Sequence, residues 1–374
     1  MKIRRLNALR GLAAFIVLVS HYSNASGLWN GMLGWGGGQF GVMIFFLLSA
    51  FLMAYLYLET PPSFSAVKKY AIARIARVAP LFLLVVVVSY AVKCGNVVFF
   101  RDVVYNIPDI RSLLSNLILM QGESVLWTIP PEIHFYIFFL FIWVARPRFL
   151  NWIWVYWGIL GLILAAYVIK MACILLAPPH GTPLFIQTTF FGLPATLYIA
   201  TVLHYFITGL FFGHLFNCWH PPDRLRRHWF AFALFGLPFL YPQVITRIAG
   251  IHYGWELVWW NLAIFVCVSF IFFVAVFLVP PKNPFLENKI ADKLGEISYS
   301  IYLLHFPVLS ALKKTKLATA DIRGLLLFLV LSVTIASLSF SFFERPMRLK
   351  IRSYFLSDGG CIPNISPDGA ERNP

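Results

Sequence analysis

Two ionisable side chains interrupt the first apolar run of this chain: Arg10, in Leu9-Arg10-Gly11-Leu12, and His21, in Val19-Ser20-His21-Tyr22. On a helix, eleven residues turn through about 1100°, three full turns plus roughly 20°, and rise roughly 16 Å. Both side chains therefore share one face, a fixed cation at one level and a proton-exchanging imidazole at another. Ionisable groups inside a span are costly and mark functional sites by default. The plainer readings are an arginine snorkelling to headgroups and an interfacial histidine bonded to a neighbour; their shared face weakens both.

Further candidates follow along the chain. Leu126-Trp127-Thr128-Ile129-Pro130-Pro131-Glu132-Ile133-His134-Phe135-Tyr136 places prolines and then a carboxylate where a helix would start, as its N-terminal dipole favours. Glu132 is expected on the outer side, level with His21, where a carboxylate orients an imidazole and raises its basicity; the alternative is a simple helix cap. His134, in the same turn, reads as a structural or supporting residue. Arg74 and Arg77 are spaced i, i+3 on one helix side. Paired guanidiniums suit phosphate, although ordinary cytosolic charge gives the same pattern. In Phe45-Phe46-Leu47-Leu48-Ser49-Ala50, small residues favour close helix packing, with Ser49 as a ligand the second reading. Tyr299, Tyr302 and His305 form a stripe at i+3 steps, either a cavity lining or an aromatic core. Phe343-Glu344-Arg345-Pro346 reads as a structural clamp. The five cysteines show no C-x-x-C and no metal-ligand spacing, so no metal site is expected.

The elements that position these residues follow from composition. Of 374 residues, 60% are hydrophobic and 12% charged, and the mean hydropathy is +0.77. A soluble domain carries about 25% charged residues, and disorder needs low hydrophobicity. What remains is an all-α polytopic membrane protein. Ten apolar stretches approach the length of about 20 residues that a span requires: 6–26, 39–58, 72–93, 131–145, 152–177, 196–217, 229–248, 257–279, 296–313 and 322–344. Residues 183–195, broken by Pro183 and Pro194, read as re-entrant or interfacial. The first stretch lacks a small-x-small cleavage site and reads as a retained span. Outer loop 94–130, with its apolar Leu113 to Met120, is expected along the membrane surface.

The net charge of +15 is assigned to lipid-anchoring loops rather than to nucleic acid. Lys and Arg concentrate on segments that lie inside if both termini do, giving an N-in/C-in bundle. Loop 313–323, with Lys313, Lys314, Lys316 and Arg323, runs against that bias. Residues 1–350 are read as one transmembrane domain and 351–374 as a disordered cytoplasmic tail.

These motifs, in this order, resemble the membrane acyltransferase-3 family, which O-acylates bacterial cell-surface carbohydrates. The resemblance runs from about residue 3 to 346. Its most specific element is Arg10, ten intervening residues and His21. Phe45-Phe46-x-x-Ser49, Arg74-x-x-Arg77, Leu126-Trp127-Thr128 with Glu132-x-x-Phe135-Tyr136, and Ser298-Tyr299-Ser300-Ile301-Tyr302-Leu303-Leu304-His305 support it. Ala50 stands where the family usually has Gly, Pro130-Pro131 replace Ser/Gly/Val-type residues, and His134 replaces Gln, Phe or Trp. The resemblance implies an acyl-CoA donor, most often acetyl-CoA, used as co-substrate with no bound cofactor, and a carbohydrate or glycolipid acceptor. It implies a bacterial inner membrane location, donor binding by Arg74, Arg77 and Ser49, and catalysis by His21, Glu132 and Arg10. His21 would be general base or transient acyl carrier. Trp127, His134, Tyr299, Tyr302 and His305 would line the cavity. A proton-coupled transporter using Arg10, His21 and Glu132 is the alternative, although no internal repeat or pair of broken helices accompanies it.

Overall fold

The computed structural model describes residues 3–144 except 96, 97 and 121, residues 199–356 except 251–257 and 260, and residue 161. The expected span 152–177 (except residue 161), the segment 183–195 and residues 357–374 of the tail lie outside the described residues; residues 351–356 are helical. Among the described residues every regular element is helical.

Three helices form the centre of the bundle. α1 (Arg4–Ser26) ends on Gly27, whose φ of 76° gives the left-handed C-cap and lets its N–H bond the Ser23 carbonyl. α2 (Gly37–Tyr57) runs antiparallel to α1. The contact is close because Gly41 lies against the Ala13 carbonyl, where any Cβ would collide, and Gly38 lies against Ser20 and the His21 ring. The Gly38 N–H donates to Ser20 Oγ at 2.7 Å. α9, numbered in chain order, spans Lys289–Lys314 and runs parallel to α1. Gly11 meets Leu294 and Gly295 near one end, and His21 meets His305 further along. Asp292 fastens the two starting turns, accepting from Arg4 Nε at 2.7 Å and Asn7 Nδ2 at 3.3 Å.

Around this triplet stand α3 (Phe64–Cys94), α4 (Ile110–Leu117), α5 (Ile129–Val144), α6 (Ile199–Cys218), α7 (Pro242–Ala249), α8 (Leu262–Phe273), α10 (Ile322–Ser339) and α11 (Arg345–Leu356). A π turn, Phe340–Glu344, joins α10 to α11, so the last expected span becomes one helix of 35 residues. Among the described residues five helices are long and apolar enough to cross a membrane: Arg4–Ser26, Gly37–Tyr57, Phe64–Cys94, Ser124–Val144 and Ile322–Leu356. α6 and α8 are apolar but shorter.

Three expectations change. The third span starts earlier, because the Ser63 side chain accepts the Ala66 N–H at 3.1 Å and caps the helix before Lys68 and Lys69. The stretch 229–248 is not one straight helix: His228–Leu240 and α7 meet at 79°. Tyr241 is extended (φ −65°, ψ 137°) ahead of Pro242, the conformation that a following proline imposes. Outer loop 94–130 does not simply lie on the surface: Tyr105, Ile107, Val125 and Leu126 are buried in the main core. Pro307 lacks the N–H that would bond the Leu303 carbonyl, and the Tyr105 hydroxyl donates to that carbonyl at 2.7 Å. The loop is thereby drawn into the bundle, which sets the depth at which α5 begins.

Candidate active site

The site residues fall on two levels of the α1–α9 pair. At the level of Arg10, α1 faces α3 and α5. Arg10 lies within electrostatic reach of Arg74, Arg77, Glu132 and Tyr136. Arg74 stacks over the Tyr136 ring, 5.8 Å from its centroid, with Tyr57 and Tyr70 around it. The Tyr70 hydroxyl donates to the Tyr136 carbonyl at 2.9 Å, which fixes α3 against α5. Arg348 of α11 reaches the same cluster, sensing Arg74, Arg77 and Glu344. Four guanidiniums thus meet two carboxylates, Glu132 and Glu344. The Nε atoms of Arg74 and Arg348 are buried without a hydrogen-bond partner. A buried donor left unmet is costly, and a cationic cluster with open donors is built to receive an anion.

Glu132 belongs to this level. It is not placed beside His21 as expected: its Oε1 accepts from Ser49 Oγ at 2.8 Å and from the Tyr136 hydroxyl at 2.5 Å. Because α1 and α2 are antiparallel, Ser49 stands near the start of α1, and Glu132 with it. The expectation failed because α5 begins inside the bundle rather than at its outer rim. Ser49 is 7% exposed, and its hydroxyl holds the Glu132 carboxylate.

At the second level His21 meets His305 edge to face, with ring centroids 5.1 Å apart and planes at 72°. His305 Nδ1 donates to the Tyr302 carbonyl at 2.7 Å. That bond fixes the tautomer and leaves Nε2 as a bare acceptor, fully buried and without a partner. The ring of Gly38's neighbour His21 also borders the N-terminal end of α2, so close that a Cβ at Gly38 would touch it.

The stripe on α9 links the levels. Tyr299 lies in reach of Glu132, Glu344, Tyr136 and Arg77, and His305 is two steps on, about 9 Å along the helix. The tyrosine hydroxyls are structural: Tyr299 donates to the Val78 carbonyl at 2.7 Å and Tyr302 to the Val125 carbonyl at 2.9 Å, while Thr128 Oγ1 donates to Tyr302 at 3.1 Å. Trp127 packs with Phe46 and Trp259 in an aromatic cluster. His134 is half-buried with its Nδ1 unpartnered, and no described contact joins it to either level. Glu344 is buried, accepting from Ser300 Oγ and Ser339 Oγ. It clamps α9 to the end of α10.

Sequence reasoning missed two features. In the sequence Arg348 is one of the many Lys and Arg residues of the inner segments, with nothing to mark it as part of the site. Arg5, read the same way, is 8% exposed and anchors the fold: its Nη1 donates to the Val276 and Val279 carbonyls at 2.9 and 2.5 Å, and its Nε to Glu287 at 3.1 Å.

The acyltransferase-3 family model, an acyltransferase domain, matches residues 3–343. The chain belongs to this family and is a multi-pass membrane acyltransferase of the non-aminoacyl type. No curated protein and no solved structure matches it.

Proposed function

We propose that this chain is an inner-membrane O-acyltransferase that moves a short acyl group, acetyl first among them, from acyl-CoA to a hydroxyl of a cell-surface carbohydrate or glycolipid. One observation carries the reading: α1 carries Arg10 into a cluster of arginines, with open donors on Arg74 and Arg348, and at a second level carries His21 against His305. Arg74, Arg77 and Arg10 receive the CoA phosphates from the cytosolic side. The rise of roughly 16 Å from Arg10 to His21 is comparable to a pantetheine arm, so the thioester reaches the imidazoles while its phosphates stay with the arginines.

There His21 takes the proton of the acceptor hydroxyl as its oxygen attacks the thioester carbonyl. The new C–O bond forms, the C–S bond breaks, and the proton returns to the CoA thiolate. His305 holds its bare Nε2 beside His21. The N-terminal end of α2 contributes partial positive charge next to the developing oxyanion. Glu132 acts at the arginine level, held by Ser49 and Tyr136 to space the guanidiniums, rather than as partner of His21. The transport alternative is not favoured, because the family is one of acyltransferases.

The test uses purified protein in nanodiscs with radiolabelled acetyl-CoA and a surface-glycan extract. CoA release with label appearing on glycan supports the reading. No CoA release with any short acyl-CoA overturns it.

A further inference from the structure

Away from both levels, at the end where α2 turns into α3, three metal-ligating side chains converge. Glu59 follows α2, and His214 and Cys218 stand one turn apart on α6. One ligand atom from each lies within 4.8 Å of the others. His214 Nδ1 is 3.3 Å from Glu59 Oε1, and Cys218 Sγ is 3.7 Å from His214 Nε2 and 4.0 Å from Nδ1.

We propose that Glu59, His214 and Cys218 form a binding site for a zinc-class divalent ion. Tetrahedral zinc bonds of about 2.0–2.1 Å to nitrogen and oxygen and about 2.3 Å to sulfur set ligand separations of about 3.3 Å (N to O) and about 3.6 Å (N to S). Through Nδ1 of His214 the nitrogen–oxygen separation of 3.3 Å matches its edge, and the nitrogen–sulfur separation of 4.0 Å closes on its edge with a small movement of the exposed Cys218 side chain. Thiolate, imidazole and carboxylate together select zinc over magnesium or calcium, which take oxygen ligands. Three protein ligands leave a fourth position, and the exposure of Glu59 and Cys218 opens it to water.

The scaffold beneath is rigid. Gly209 and Gly213 press α6 onto α2 so closely that a Cβ at either would collide with the Leu47 or Phe51 carbonyl. One turn beyond Gly213, Asn217 Nδ2 donates to the Tyr55 carbonyl at 3.2 Å. These contacts fix the register of α6 on α2, and with it the approach of His214 and Cys218 to Glu59. A bound ion would staple the α2–α3 turn to α6, releasing the thiol proton as it binds. Residue spacing alone does not reveal this site, because Glu59 is remote in the chain from the His-x-x-x-Cys pair on α6.

The test uses the untagged full chain in detergent, stripped with chelator and titrated with Zn²⁺ against a chromophoric competitor, then with Co²⁺. The expected result is one saturable equivalent, with an intense near-ultraviolet thiolate-to-cobalt band. Cys218→Ser abolishes the band. His214→Ala and Glu59→Gln each weaken binding at least about tenfold, the loss seen when even the outer sphere of a zinc ligand is disturbed. Circular dichroism stays as in the wild type. Three results overturn the proposal: no saturable uptake by the wild type, uptake by the His214→Ala/Cys218→Ser double variant equal to it, or cobalt binding without the band.

Discussion

His305 stands edge-on to His21, centroids 5.1 Å apart, with its Nδ1 proton committed to the Tyr302 carbonyl at 2.7 Å. A histidine held this way has one use for its other nitrogen, to accept a proton or a hydrogen bond from whatever shares the site with His21. His305→Asn, which keeps a donor near the Nδ1 position and removes Nε2, is predicted to lower acyl transfer about a hundredfold, the lower end of the range for acid–base groups. The KM for acyl-CoA should not move. A kinetic comparison of kcat and KM checks this, since a merely structural defect would lower the amount of folded protein instead.

The arginine level predicts a donor effect. Arg74→Ala and Arg77→Ala should each raise the acyl-CoA KM about tenfold or more, corresponding to at least about 1.4 kcal/mol of binding. Lysine should restore little, because it lacks the bidentate fork. Acyl-pantetheine, which has no phosphate, should show the same KM in wild type and variants. Equal effects on both donors would place the arginines elsewhere in the mechanism.

Glu132 is held by two hydroxyls, and its carboxylate balances buried guanidiniums. Glu132→Gln should destabilise by about 3–5 kcal/mol, the cost of leaving one partner of a buried charge pair. Ser49→Ala or Tyr136→Phe should cost less, about 1.5–3 kcal/mol for a hydrogen bond to a charged group. Thermal unfolding in detergent should rank them in that order.

Arg5→Lys is predicted to be nearly as damaging as Arg5→Ala. One ammonium cannot meet the Val276 and Val279 carbonyls and Glu287 in the geometry that the guanidinium provides. Protein yield and apparent Tm read this directly.

Acid sensitivity should concentrate in the loops. Hydrogen bonding to Lys314 holds the Asp102 carboxyl low, and the N–H groups of Ser112 and Gly324 do the same for Asp109 and Asp321, the caps of α4 and α10. A lowered folded value means that the stabilisation is complete above the ordinary carboxylate pKa of about 4. It is lost as pH falls through the folded values. Asp321→Asn should flatten part of the loss of Tm below pH 4.

Helix arithmetic made the Arg10–His21 face and the Tyr299-Tyr302-His305 stripe readable from the sequence, because a period of 3.6 residues is a local property. The partner of Glu132 was not readable. It depends on how far loop 94–130 enters the bundle, and that rests on Tyr105 meeting a carbonyl freed by Pro307, a contact between distant segments. Arg5 was hidden for the same reason, its acceptors lying at the end of another helix. The positive-inside pattern counts charges but does not say which of them turn inward, so Arg348 and Arg5 looked alike.

The most direct measurement of the central claim is label transfer from radiolabelled acetyl-CoA to surface glycan by His21→Ala, beside wild type, in protein matched for amount and for elution as a folded species. The account predicts that transfer falls by about 10²–10⁴, as for loss of a general base, while acetyl-CoA still binds through the arginine level. Full transfer by His21→Ala at normal protein levels would contradict it.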